Sequence, residues 1–131
     1  MSNLIISELP PLDSSSIVHL VKQVQQIHVE QYPDVFRSDI PEAELVKFLE
    51  DWLSNDNVTA LIATDPEQYP IGYLIYEIQI RGKTILKKSS RTCFIHHIAV
   101  DESYRKKGIA KELIKEMKQR IKLADLDSIA S

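Results

Sequence analysis

Ile98-Ala99-Val100-Asp101-Glu102-Ser103-Tyr104-Arg105-Lys106-Lys107-Gly108-Ile109-Ala110-Lys111 is the stretch from which the rest of the chain can be read. Its apolar opening continues Thr92-Cys93-Phe94-Ile95-His96-His97, a run rich in β-branched and aromatic residues, and reads as the end of a central strand. A polar break follows at Asp101 to Lys107. Ile109, Leu113, Ile114, Met117 and Ile121 then recur at helical spacing with Lys and Glu between them, which predicts a helix. A strand, a tight turn and a helix opened by glycine and small residues leave several backbone N–H groups unpaired and convergent, a geometry that binds phosphate. Gly108 and Ala110 lack bulk, and Arg105, Lys106 and Lys107 add positive charge. On spacing alone an ordinary helix start with a solvated basic turn is the better-supported reading, because short motifs match by chance.

Outward from this stretch, Leu4-Ile5-Ile6 predicts a first strand stopped by Pro10-Pro11. Asp13 and three serines are capping types, placed before an amphipathic helix carried by Ile17, Leu20, Val21, Val24, Ile27 and His28 that should end before Pro33. Residues 30–36 lack a period and read as a bend with exposed aromatics. From Pro41 a second helix carries Leu45, Phe48, Leu49, Trp52 and Leu53 on one face, with Glu42 and Glu44 where the helix dipole favours anions. Val58 to Ala63 and Ile71 to Ile80 predict two antiparallel strands about the Asp65–Pro70 turn, and the basic segment from Arg81 to Arg91 leads into the central strand. The order β, α, α, β, β, β, α favours an α+β fold over a doubly wound sheet.

The chain has 131 residues, 44% hydrophobic and 27% charged, which fits a single domain over residues 1–131 and excludes disordered and fibrous classes. Sixteen Lys+Arg against nineteen Asp+Glu give a net charge of −3, so no overall field draws it to nucleic acid or an anionic membrane. The basic loop of Arg81, Lys83, Lys87, Lys88 and Arg91 lacks interleaved aromatics, and a solvated hairpin is favoured over a nucleic-acid surface. Apolar runs fall short of the roughly 20 residues a bilayer requires, and one cysteine with no signal-like start points to a soluble, cytoplasmic protein. With three glycines, neither GxGxxG nor GxxxxGK[ST] can be assembled. His19, His28, His96 and His97 show no ligand spacing and predict no metal, and Cys93 reads as a packed thiol.

Arg105-Lys106-Lys107-Gly108-Ile109-Ala110 resembles the R/Q-x-x-G-x-G/A signature of the GNAT superfamily of N-acetyltransferases, in the strand-to-helix context that family uses. Ile98-x-Val100, Tyr104, the Ile71-Gly72-Tyr73 strand opening and the two-helix N-terminal section extend the resemblance over nearly the whole chain. It implies a mixed, mostly antiparallel sheet with helices on both faces, and transfer of an acetyl group from acetyl-CoA, as co-substrate, to a primary amine of a small molecule or peptide. Ile98, Ala99 and Val100 would offer main-chain groups to the pantetheine arm, and the amides from Lys106 through Gly108, Ile109 and Ala110 to Lys111 would hold the pyrophosphate. Ala110 replaces the commoner final glycine.

The amine must lose a proton before it attacks, since alkylammonium groups titrate at about 10. His96 is the candidate base, two residues before Ile98 and at a place where serotonin N-acetyltransferase, a GNAT member, has a histidine. A hydrogen-bonded strand histidine without chemistry is the equal alternative. Other members use a strand glutamate, whose place Phe94 takes here, and strand alternation sends His97 to the opposite face as a packing residue. The resemblance places the acceptor beside the first two helices, where Glu30, Tyr32, Asp34 and Phe36 could frame a cationic or aromatic group, against the favoured reading of a surface bend. The alternative to an enzyme is a non-catalytic acyl-CoA-binding or regulatory module. GNAT members normally continue past the third helix, here expected to close near Leu123-Ala124, into a strand, a helix and a last strand that supply a tyrosine acid. Leu126 to Ser131 begins only the first of these, so a truncated chain or one completed as a homodimer is expected, with weak turnover alone.

Overall fold

The computed structural model describes residues 4–121 and 128–130. Five strands, β1 (Ile5–Glu8), β2 (Val58–Thr64), β3 (Pro70–Arg81), β4 (Ser90–Val100) and β5 (Ser128–Ala130), lie in one sheet in chain order. The first four are antiparallel neighbours and β5 runs parallel to β4. The α+β expectation holds, with α1 (Val18–Gln31) and α2 (Glu42–Leu53) on one face and α3 (Ile109–Ile121) on the other.

Two apolar clusters hold these layers. Leu20, Leu45, Leu49 and Leu53 from the first helices meet Ala60, Ile62, Tyr73 and Ile75, while Leu113 and Met117 of α3 meet Leu61, Leu74, Tyr76 and Cys93. Alternate residues of β2 and β3 thus serve opposite cores, as the period of two requires. Both strands read as nearly continuous apolar runs because helices cover both faces of the sheet.

Three local readings change. Asp13 and the serines do not cap α1. They lie in a 3-10 turn, Pro11–Ile17, opened by the fixed φ of the prolines, and α1 begins only at Val18 without a side-chain cap. Glu30 belongs to the last turn of α1 rather than to the bend after it. Phe48 stays exposed: the i, i+4, i+8 row of Leu45, Leu49 and Leu53 is the buried one, with Val46 and Trp52 packed at its flanks. The expected closure of the third helix near residues 123–124 lies outside the described residues, as do 126, 127 and 131 of the last strand. Among the described residues no helix is long and apolar enough to cross a membrane.

Gly72 sets the height of α3 over the sheet. A Cβ there would stand 3.1 Å from the Ala99 carbonyl oxygen, 3.3 Å from Ile109 Cγ2 and 3.5 Å from Leu113 Cδ1. Only a missing side chain lets the first turn of α3 settle against the end of β4.

Candidate functional site

The end of β4, the turn after it and the start of α3 form one surface. Asp101 N–H donates to the Ile71 carbonyl at 2.8 Å, so by alternation the main-chain groups of Ile98 and Val100 point away from β3. On that side β5 pairs with β4 only at Thr92, Cys93 and Phe94. From Ile95 to Val100 no strand among the described residues covers the edge. Arg105 Nε donates to the Val100 carbonyl at 3.3 Å and ties the turn to this edge.

The turn itself is built by two left-handed residues, Lys106 at φ 67° and Gly108 at φ 78°. Gly108 is demanded by its backbone angle, since the space its side chain would take is open. The first bond of α3 runs from Glu112 N–H to the Gly108 carbonyl at 3.1 Å. The amides of Ile109, Ala110 and Lys111 precede that bond. Among the described residues the backbone N–H groups from Lys106 to Lys111 have no partner, which leaves the positive end of the helix dipole open to an anion. Tyr104 hydroxyl donates to Asp65 Oδ2 at 3.4 Å, and Lys107 Nζ lies 5.4 Å from the Tyr104 ring centre. A cavity of about 280 Å³ opens beside them, lined by Asp65, Ile71, Tyr104 and Ile109.

The other side of β4 carries titratable groups. Tyr76 pairs with Ile95 and Ile75 with His97, so His96 is the extra residue of a β-bulge. The bulge overturns the alternation expected from the sequence. His97 does not take the opposite face from His96: both meet Trp52 of α2 edge-on, with ring centres at 5.7 and 5.3 Å. Nor does His96 share the face of Ile98, which pairs with Leu74 on the α3 side.

His96 Nε2 lies 2.7 Å from Glu77 Oε1, and its ring centre 4.8 Å from that of Phe94. Glu77, the register partner of Phe94 on β3, thus places a carboxylate on this face. His97 Nδ1 faces the Tyr73 hydroxyl at 3.4 Å. His97 keeps exposed surface, yet its ring loses enough hydration against Trp52 and Tyr73 that burial pushes its pKa below the usual 6.5, helped by the charges of His96 and His28. Burial likewise holds the Tyr73 hydroxyl well above its ordinary range.

The four acceptor candidates gather at the end of α1 without closing a pocket. Glu30 accepts from Gln26 Nε2 at 3.3 Å, while Tyr32 and Asp34 are exposed. Phe36 stacks on His28 at 4.8 Å and lies 6.4 Å from Tyr32. His28 is close enough to act on His97, which links this corner to the bulge. A neighbouring cavity of about 190 Å³, between α1 and residues 37–40, is lined by Val21, Gln25, Val29 and Ile40 and by none of the four. Glu77 and Trp52 are the site residues that pattern reading missed. Trp52 stood on the apolar face of a helix and Glu77 in a strand, and only strand register brings either to a histidine.

Cys93 is buried, with its Sγ 3.7 Å from Met117 Sδ, and burial raises its thiol pKa. No three potential metal ligands cluster among the described residues.

A family model described as the acetyltransferase (GNAT) family matches residues 21–130. No curated protein matches the sequence. Among solved structures, a tetramutant of the BH1408 protein from Bacillus halodurans is similar at 22% identity and a TM-score of 0.82, over 96% of this chain and 80% of that one. An aminoglycoside N-acetyltransferase, AAC(6')-Iy, in complex with CoA is similar at 22% identity and TM-score 0.70, over 98% and 75%. A ribosomal-protein-alanine N-acetyltransferase from Brucella melitensis biovar Abortus 2308 is similar at 20% identity and TM-score 0.70, over 97% and 77%. At these identities the likeness establishes the shared fold.

Proposed function

The chain belongs to the acetyltransferase (GNAT) family, and from that premise we propose that it transfers an acetyl group from acetyl-CoA to a primary amine of a small molecule or peptide, in the reducing cytoplasm. The observation that carries the reading is the run of amides from Lys106 to Lys111, which have no partner among the described residues, at the helix start beside the end of β4. A pyrophosphate fits that run, because it brings the negative charge the helix end lacks and the open space at Gly108 admits it. A pantetheine amide can exchange hydrogen bonds with the outward groups of Ile98 and Val100 as a strand would. That a similar fold was crystallised with CoA supports the same assignment.

Bound there, acetyl-CoA supplies an activated acyl thioester. The amine arrives as an ammonium ion from the face of α1 and α2, where Glu30, Tyr32, Asp34 and Phe36 flank the approach, and His96 takes its proton. The freed nitrogen bonds to the carbonyl carbon, the oxygen gains negative charge opposite the outward N–H of Ile98, the nitrogen sheds its second proton to solvent, and the C–S bond breaks as the carbonyl re-forms. A thiolate whose parent thiol titrates at about 8.5 needs no more than water to take up its proton.

Thiol release measured against polyamines, aminoglycosides, amino acids and peptides tests the reading and sorts the acceptor class. His96→Ala should lower turnover while CoA binding persists. Absence of CoA binding by the wild-type chain refutes the proposal.

A further inference from the structure

Two adjacent imidazoles lie on the α2 side of β4, and among the described residues only His96 is paired with a carboxylate. Glu77 Oε1 and His96 Nε2 are 2.7 Å apart, the short contact of a charge-assisted hydrogen bond. Their side chains keep 29% and 25% of their surface, dry enough to hold the pair together and open enough for the ring to exchange protons with a ligand. Trp52 and Phe94 flank the ring at 5.3 and 4.8 Å. His97, one residue on, faces the Tyr73 hydroxyl instead, and His28 stacks on Phe36.

On the acetyl-transfer reading above, we propose that Glu77 is a positioning residue that keeps the hydrogen of neutral His96 on Nε2 and thereby presents Nδ1, with its lone pair, as the atom that receives the acceptor's proton. An ionised carboxylate only accepts, so the 2.7 Å contact requires the N–H on Nε2. A neutral imidazole has one N–H, and Nδ1 is left as the base. Without the carboxylate both tautomers are populated, and the fraction carrying hydrogen on Nδ1 cannot accept the proton there. Once the proton has moved, the imidazolium remains paired with Glu77 in a half-buried place where an unpaired cation is costly. Alternation from Phe94, the register partner of Glu77, puts His96 on the face of Glu77, and the bulge adds His97 to that face while Ile95 and Val100 stay with the α3 core.

Nitrogen NMR of the labelled imidazole reads the tautomer directly, and steady-state kinetics with the best amine reads the consequence. Wild type should show His96 as the Nε2–H form. Glu77→Gln, equal in shape but able to donate as well as accept, should lose that preference. It should also lower kcat by roughly ten-fold or more, within the ~10²- to 10⁴-fold that a positioned base contributes, with CoA affinity and melting temperature unchanged. A wild-type His96 protonated on Nδ1, or a tautomer unaltered in Glu77→Gln, overturns the proposal. Slow turnover in His96→Ala with wild-type turnover in Glu77→Gln overturns the positioning role alone. Full turnover in His96→Ala removes the base assignment, and the role of Glu77 with it. A chain inactive toward every amine overturns the transfer reading, and the nitrogen spectrum then decides by itself whether Glu77 sets the tautomer.

Discussion

Replacing Gly72 with alanine tests how the site is suspended over the sheet. The new methyl would stand 3.1 Å from the Ala99 carbonyl oxygen and 3.3 Å from Ile109 Cγ2. The first neighbour is backbone of β4 and cannot rotate away, so the β3–β4 contact must open, and the second presses Ile109 and with it the first turn of α3 outward. Overpacking of this kind costs about 1–3 kcal/mol, offset by about 0.4–1 kcal/mol because alanine restricts the unfolded chain. A net loss of about 1–2 kcal/mol follows, or a melting temperature lower by roughly 4–8 °C in a domain of this size. The same outward shift carries Ile109, Ala110 and Lys111 away from the edge of β4, so CoA affinity by calorimetry should fall further than the stability loss alone explains. Gly108→Ala makes the contrast. Among the described residues nothing beyond its chain neighbours stands within 4 Å of a Cβ there, but φ 78° penalises an L side chain by about 1–2 kcal/mol. Asparagine at 108 should recover part of that loss, whereas asparagine at 72 should be worse than alanine. A Gly72→Ala protein with wild-type melting temperature and CoA affinity would refute the claim that α3 is held by this contact.

Gly108→Trp should weaken CoA binding far more than Lys88→Ala, because one fills the mouth of the amide cluster and the other trims an exposed hairpin; equal affinities by calorimetry would move the site elsewhere. Cys93 should resist thiol reagents in the native chain and react once denaturant is added, since it is buried and its pKa is raised; rapid native labelling would contradict its packing against Met117. His97 titrates lower in the folded chain than its usual 6.5, so the unfolded chain binds more protons over that interval. Its contribution is therefore present above pH 6.5 and lost as pH falls below it toward the depressed native value, and urea melts of His97→Gln at pH 7.5 and 5.5 should differ less than those of wild type.

Periodicity gave the three helices and the strand order because each element has one dominant burial pattern, and Gly108 announced its turn because few residue types adopt positive φ. Other features depended on relations between distant residues. The pairing of Glu77 with His96 is a matter of register, which neither strand states by itself. The start of α1 was misplaced because Asp13 and three serines have the composition of a cap without its geometry. The face of His97 is not legible from alternation, because His96 is an extra residue that breaks the period of two.

That residue acts on β4 as a single inserted letter acts on a message read in steps of two. Cys93 and Ile95 before it and Val100 after it join the core under α3, and Ile98, though exposed, lies on the same side opposite Leu74, although the two pairs are out of phase in the sequence. Deleting His96 would bring Cys93, Ile95, Ile98 and Val100 into one phase, so the strand could run as a regular ladder with all four still on the α3 side and one histidine toward Trp52. Such a deletion should therefore cost the histidine pair more than it costs the core. Keeping His96 but removing the bulge is the damaging change, because a regular ladder of the full length would turn the apolar side chains of one half toward Trp52.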